Sequence, residues 1–190
     1  MFQRVIHSGN LEEVLEQIRI SSETFFDFSG TDFSVLGEMQ LTAIFAALCS
    51  LPHTFTLRLN NCRIDEKAIG HRSQLKELTS GLSQTKNMER FEFVRSISLE
   101  CEKAEELLLA IAKSLLENHK IKGITLDGYK VTPRTVCKTL ETHPTAHYIF
   151  VDGLLKLDRQ GSNVPLFKPA ANEVMSNYSK SATLKVRRKK

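Results

Sequence analysis

The feature that most constrains this chain is a short apolar alternation that keeps returning. At residues 57–64, "LRLNNCRI" puts Leu57, Leu59, Cys62 and Ile64 in four apolar slots, with two asparagines wedged between the pairs. Aligned on Leu59, the template apolar-x-apolar-x-x-Asn/Cys-x-apolar recurs up and down the chain. "FDFSGTDF" supplies Phe26, Phe28, Thr31 and Phe33, and "ITLDGYKV" supplies Ile124, Leu126, Tyr129 and Val131. "FEFVRSIS" fits at Phe91, Phe93 and Ser96 but breaks at Ser98, and "YIFVDGLL" gives a weak copy with Tyr148, Phe150, Gly153 and Leu155. The second apolar slots fall at 28, 59, 93, 126 and 150, with spacings of 31, 34, 33 and 24 residues. Alternation with a period of two is the mark of a strand that buries one face.

Between these strands the apolar period lengthens to that of a helix. "DFSVLGEMQLTAIFAALCSLP" carries Leu36, Met39, Ile44, Leu48 and Leu51 and ends at Pro52. "DEKAIGHRSQLKELTSGLSQ" is more polar, with Ala68, Ile69, Leu75, Leu78 and Leu82. "CEKAEELLLAIAKSLLENHK" gathers Ala104, Leu107, Leu108, Ile111, Leu115 and Leu116 on one broad face. "TPRTVCKTLETHP" opens with Pro133 at an early helical position and stops before Pro144, and Asn10 is placed to cap "LEEVLEQI".

A strand–loop–helix unit repeating about every 30 residues is the pattern of a repeat protein whose units stack to bury a continuous core. "LRLNNCRI" and its partners resemble the leucine-rich repeat, in the longer ribonuclease-inhibitor type with a full helix per unit, over residues 20–158. The resemblance implies an α/β solenoid, a horseshoe segment with parallel strands on the concave face and helices on the convex face. The domain expected is 1–169, about five degenerate repeats of which the first and last act as caps, followed by a basic, disordered tail at 170–190. Irregular repeats of this kind also resemble those of bacterial effectors delivered into host cells. In such a repeat the Asn or Cys slot points inward where the chain turns back over the core. Asn can satisfy orphaned backbone groups there, and Cys fills the space as a small apolar residue. Cys62 is therefore expected to be structural. Tyr129 is oversized for the same slot.

The repeat sends the residues between its inward slots to the concave face. These are Asp27 and Ser29, Thr56 and Arg58, Glu92 and Val94, Thr125 and Asp127, and Ile149 and Val151, with Asn60 and Arg95 one step later. Acids, arginine, hydroxyls and a few β-branched residues together suit a protein partner. Positive charge and aromatic side chains are too sparse for a nucleic-acid groove.

Catalysis has little to stand on. The chain carries four cysteines, Cys49, Cys62, Cys101 and Cys137, widely separated and with no CxxC pair, so neither a zinc site nor a disulfide framework is indicated. The best nucleophile–base grouping, Cys137 with His143 and His147, puts the thiol beside Val136 and Leu140 on the inner side of a helix. No GxGxxG, P-loop, HExxH or GxSxG sequence is present. The expectation is a non-enzyme without cofactor or metal, monomeric when free. It would bind another protein through the concave face, for example by covering an enzyme's active-site mouth.

The net charge of +4 hides an asymmetry. From Lys156 onward nine Lys/Arg face two acids, whereas the first 155 residues carry 17 basic and 20 acidic side chains. The basic excess belongs to the tail, where Leu166 and Phe167 are placed to cover the last repeat and "KVRRKK" ends the chain. That tail supports a competing reading, a binder of nucleic acid or of an anionic membrane surface. No apolar run is long enough to span a bilayer, and the N-terminus turns charged by Glu12. The location expected is the cytoplasm, or a host cell reached without a cleavable signal peptide.

Overall fold

Strand order in the sheet is chain order. β1 (Phe2–Gln3), β2 (Phe25–Asp27), β3 (Phe55–Arg58), β4 (Met88–Val94), β5 (Gly123–Asp127) and β6 (Tyr148–Val151) each pair in parallel with the next. β7 (Leu154–Asp158) then returns antiparallel to β6. The computed structural model describes residues 1–64, 72–96, 104–127 and 132–159. The expected positions Ala68, Ile69, Ser98, Cys101, Tyr129, Val131, Leu166 and Phe167, and the tail at 170–190, lie outside the described residues.

Parallel neighbours cannot be joined by a tight hairpin, so each link needs a crossover. The crossovers carry α1 (Leu11–Arg19), α2 (Glu38–Cys49), α3 (Arg72–Gln84), α4 (Ala104–Leu116) and α5 (Arg134–Glu141). Consecutive helices pack side by side, from α1 on α2 to α4 on α5. Their apolar stripes and the inward slots of the strands form one core: Phe26, Leu57, Phe91, Phe93, Ile124, Leu126 and Ile149 are all fully buried. This α/β sheet of sequential, mostly parallel strands fits a repeat protein.

The question posed by the Asn-Asn-Cys break is answered by hydrogen bonds between successive units. The slot residues Thr31, Cys62 and Ser96 are all buried. The Ile6 N–H donates to Thr31 Oγ1 at 3.1 Å, and the Cys62 N–H donates to Ser96 Oγ at 3.2 Å. The Cys62 thiol reaches back to the Phe28 carbonyl at 3.5 Å. Each slot thus ties its unit to a neighbour and satisfies backbone groups that the turn would otherwise strand. One residue before the slot the backbone goes left-handed, at Gly30 (φ 82°), Asn61 (φ 51°) and Arg95 (φ 53°). Asn is among the few side chains that tolerate this conformation, which accounts for the second asparagine of the break.

Three expectations are corrected. In the last unit Ile149 and Val151, expected on the open face, are fully buried, and Tyr148 and Phe150 point the other way. Val151 pairs with Leu126 and Ile149 with Ile124, so the register is one residue later than the template match. Gly153 and Leu155 consequently leave the inward slots: Asp152 (φ 50°) and Gly153 (φ 72°) form the β6–β7 hairpin, whose two positive φ values suit a type I′ turn, and Leu155 is exposed. Asn10 does precede α1, but its side chain makes no cap bond. It holds the preceding loop instead, accepting from the His7 N–H at 2.9 Å and donating to the Val5 carbonyl at 2.9 Å. Met39 is exposed, because as the second residue of α2 it lies on the outer side of the first turn, while Leu41, Ile44, Phe45 and Leu48 enter the core.

Candidate functional site

Among the described residues the sheet has one face under the helices and one face without them. On the free face the register sets a single row across five strands: Asp27, Arg58, Glu92, Thr125 and Phe150 are successive cross-strand neighbours. A second row beside it runs Phe25, Thr56, Arg90, Gly123 and Tyr148. Neighbouring strands lie about 5 Å apart, so side chains along a row are within reach of each other.

Arg58 organises the first half of this surface. Its Nε donates to Glu92 Oε2 at 2.6 Å, its Nη1 lies 3.6 Å from Asp27 Oδ2, and its guanidinium sits 4.6 Å from the centre of the Phe25 ring. Burial opposes the charge on Arg58, but the hydrogen bond and attraction of Glu92, helped by Asp27, raise its pKa above the ordinary value. Asp27 is almost closed off from solvent, and its other oxygen accepts from the Ser29 N–H at 3.0 Å. These side chains are fixed before any partner arrives.

The second half is aromatic. Tyr148 and Phe150 meet edge to face at 5.9 Å, and the Arg90 guanidinium lies 5.9 Å from the Tyr148 ring. A Cβ on Gly123 would come within 2.1 Å of the Tyr148 ring, so the glycine is the floor on which the tyrosine lies. Burial raises the Tyr148 pKa, which keeps the phenol protonated.

The remaining expected site residues divide between surface and scaffolding. Asn60 Oδ1 accepts from the Val94 N–H at 3.0 Å, and the Asn60 N–H donates to Ser29 Oγ at 3.2 Å, so these side chains stitch strand exits together. Asp127 accepts from the Gly153 N–H at 3.0 Å, and burial pushes its carboxyl pKa up. Thr125 and the exposed Arg95 stay on the surface as expected. Ile149 and Val151 do not, for the reason given above. Phe25, Arg90, Gly123, Tyr148 and Phe150 were missed by sequence reasoning. The signal that could have found the two β6 aromatics was the Ile-x-Val pair between and after them, which fits the inward slots equally well.

In the suspected thiol grouping the buried histidine is held by backbone groups. Both ring nitrogens of buried His143 are engaged: Nε2–H donates to the Leu115 carbonyl at 2.8 Å, and Nδ1 accepts from the Thr145 and Ala146 N–H groups at 3.3 and 3.1 Å. Burial pushes the Cys137 thiol up, and its Sγ faces the Thr132 carbonyl at 3.9 Å. Cys62 is pushed up to about 12, also by burial, and is a structural thiol. No group of three or more His, Cys, Asp or Glu suited to a metal occurs among the described residues, and no described helix is long and apolar enough to cross a membrane.

No family model matches the chain, and no curated protein matches it by sequence. Several solved structures share the fold, two of them as follows. The leiomodin-1 actin-binding site 2 is 16% identical, with a TM-score of 0.52, over 90% of this chain and 91% of that one. A tropomodulin C-terminal domain from a Caenorhabditis elegans structural-genomics effort is 16% identical, with a TM-score of 0.50, over 91% of this chain and 96% of that one. Both are leucine-rich-repeat-like domains, and the likeness establishes the fold class.

Proposed function

We propose that this protein is a non-catalytic binding module that grips another protein through the helix-free face of its sheet. The observation that carries the reading is the Asp27–Arg58–Glu92 network seated on Phe25, a charged surface already ordered in the free molecule. A rigid, preformed surface loses little conformational entropy on binding. Sequential parallel strands with a helix in each crossover support reading the fold as a short leucine-rich-repeat horseshoe, and such a face can close over an enzyme's active-site mouth. Because one of the structures with this fold is the leiomodin-1 actin-binding site 2, actin is the first partner to try.

The test is filament co-sedimentation, followed by affinity capture from a lysate if actin does not bind. The partner obtained is then titrated by calorimetry against the wild type and the Arg58→Ala/Glu92→Ala double variant. The double variant should bind more weakly by about 2 kcal/mol or more, because binding energy concentrates at the desolvated middle of an interface. Equal affinities would remove the site from the strand face. Binding that instead falls steeply with salt and vanishes on truncation after Ala170 would establish the competing, tail-driven reading.

A further inference from the structure

On the free face Glu92 is flanked on both sides, by an arginine on β3 and by a threonine on β5. On one flank of Glu92 stands Arg58, with the Phe25 ring 4.6 Å beneath its guanidinium and the Glu92 Oε2 acceptor at 2.6 Å. On the other flank stands Thr125, and beyond it the Tyr148–Phe150 pair on β6. Each flank ends in an aromatic ring two strands from Glu92, Phe25 on β2 and Phe150 on β6, and the Arg58 flank also holds a second carboxylate, Asp27. The middle residue is a long arginine on one side and a short threonine on the other. Glu92 Oε1 and the Thr125 hydroxyl make no hydrogen bond to any described residue.

We infer that the Thr125 position is a subsite for an arginine side chain of the protein partner. The inference rests on the strand-face reading above and names the chemistry that this face selects. A guanidinium entering over Thr125 pairs with Glu92 Oε1, donates to Thr125 Oγ1 and lays its plane against the Phe150 ring. Glu92 and Phe150 are two strands apart, about 10 Å between backbones, which leaves room for one planar group between them. Arginine is favoured over lysine because its flat fork hydrogen-bonds a carboxylate while its face stacks on an aromatic ring. Arg58 shows that this sheet holds a guanidinium between the Glu92 carboxylate and an aromatic ring, there with Asp27 as a second acceptor. Arg90 lies against Tyr148 in the adjoining row and leaves the Thr125 row to the incoming side chain.

The experiment titrates the whole protein with N-acetyl-arginine methylamide, N-acetyl-lysine methylamide and N-acetyl-norleucine methylamide, following backbone amide shifts by NMR. The arginine probe should give saturable shifts centred on Glu92, Thr125 and Phe150. It should bind roughly fivefold more tightly than the norleucine probe, the upper range for an exposed ion pair. Glu92→Gln should remove that advantage. Thr125→Arg, which supplies the guanidinium from within the chain, should abolish the shifts while the rest of the spectrum stays native. Equal binding of arginine and norleucine probes, the absence of saturable shifts, or an unchanged response in Thr125→Arg would each overturn the subsite. If these fail while Arg58→Ala/Glu92→Ala still weakens the protein partner, the subsite falls and the strand-face reading stands.

Discussion

Arg58 Nη1 lies 3.6 Å from Asp27 Oδ2, and the two side chains differ sharply in exposure: 33% of the arginine is open to solvent but only 7% of the aspartate. The aspartate is therefore the member that needs its partner. A buried carboxylate left without its cation carries the desolvation penalty alone.

Arg58→Ala should accordingly destabilise the fold by about 1–3 kcal/mol, whereas Glu92→Ala, removing a partly exposed group, should cost ~1 kcal/mol or less. Adding Asp27→Asn to Arg58→Ala should recover part of the loss, since the neutral amide needs no cation. Urea unfolding of the three variants beside the wild type gives the comparison. A Glu92→Ala cost as large as that of Arg58→Ala would show that Glu92, not Asp27, is the dependent partner.

The corrected register of β6 makes an equally direct prediction. Ile149 is fully buried and Phe150 is only half-buried on the free face. Ile149→Asp should unfold the protein or cost several kcal/mol, because an unpaired charge would enter the core. Phe150→Asp should cost clearly less than Ile149→Asp, because a carboxylate on the half-buried free face stays in contact with water, although the ring contact with Tyr148 is lost. The reverse order in circular-dichroism melts would restore the register first read from the sequence.

That error shows what the sequence can and cannot disclose. In "LRLNN" and "FEF" polar residues alternate with apolar ones, so Leu57, Leu59, Phe91 and Phe93 could only point inward. Tyr-Ile-Phe-Val is apolar throughout, and a strand with no polar marker fits either face. β1 was missed because two residues are too few to show a period, and β7 because it breaks the repeat by turning back. In the site, Arg58 and Glu92 were legible as outward residues on consecutive units. The roles of Phe25 and Gly123 were not, because each depends on a residue one strand away: Arg58 above the phenylalanine and Tyr148 above the glycine.

Gly81 on α3 lies against Phe45 on α2, and a Cβ there would fall 2.2 Å from the ring carbon Cγ. Phe45 is buried, and the clash is with the root of its ring, which has little freedom to swing away. Gly81→Ala should therefore destabilise by about 1–3 kcal/mol despite the better helix propensity of alanine. Adding Phe45→Leu should return part of that loss by making space. Denaturant unfolding of both variants decides the matter, and a stabilised Gly81→Ala would mean that the helices separate without cost.

The last prediction concerns acid. Burial lowers the pKa of His143 below its ordinary 6.5 despite the bond to the Leu115 carbonyl, which acts in the opposite sense, so the folded protein holds the ring neutral as the Nε2–H tautomer. The unfolded chain binds a proton near pH 6.5, and the folded chain binds it only at lower pH. His143 thus contributes stability that is complete above the unfolded pKa and is lost as pH falls through the folded one. In His143→Asn the amide oxygen can still accept from the Thr145 and Ala146 N–H groups, but the shorter side chain gives up the Leu115 bond. At pH 7.5 this variant should be less stable than wild type by about 1–3 kcal/mol. Urea midpoints taken between pH 7.5 and 5 should show the gap closing, because only the wild type has a buried imidazole to protonate. A gap that stays constant across that range would mean that His143 titrates alike in the folded and unfolded chain.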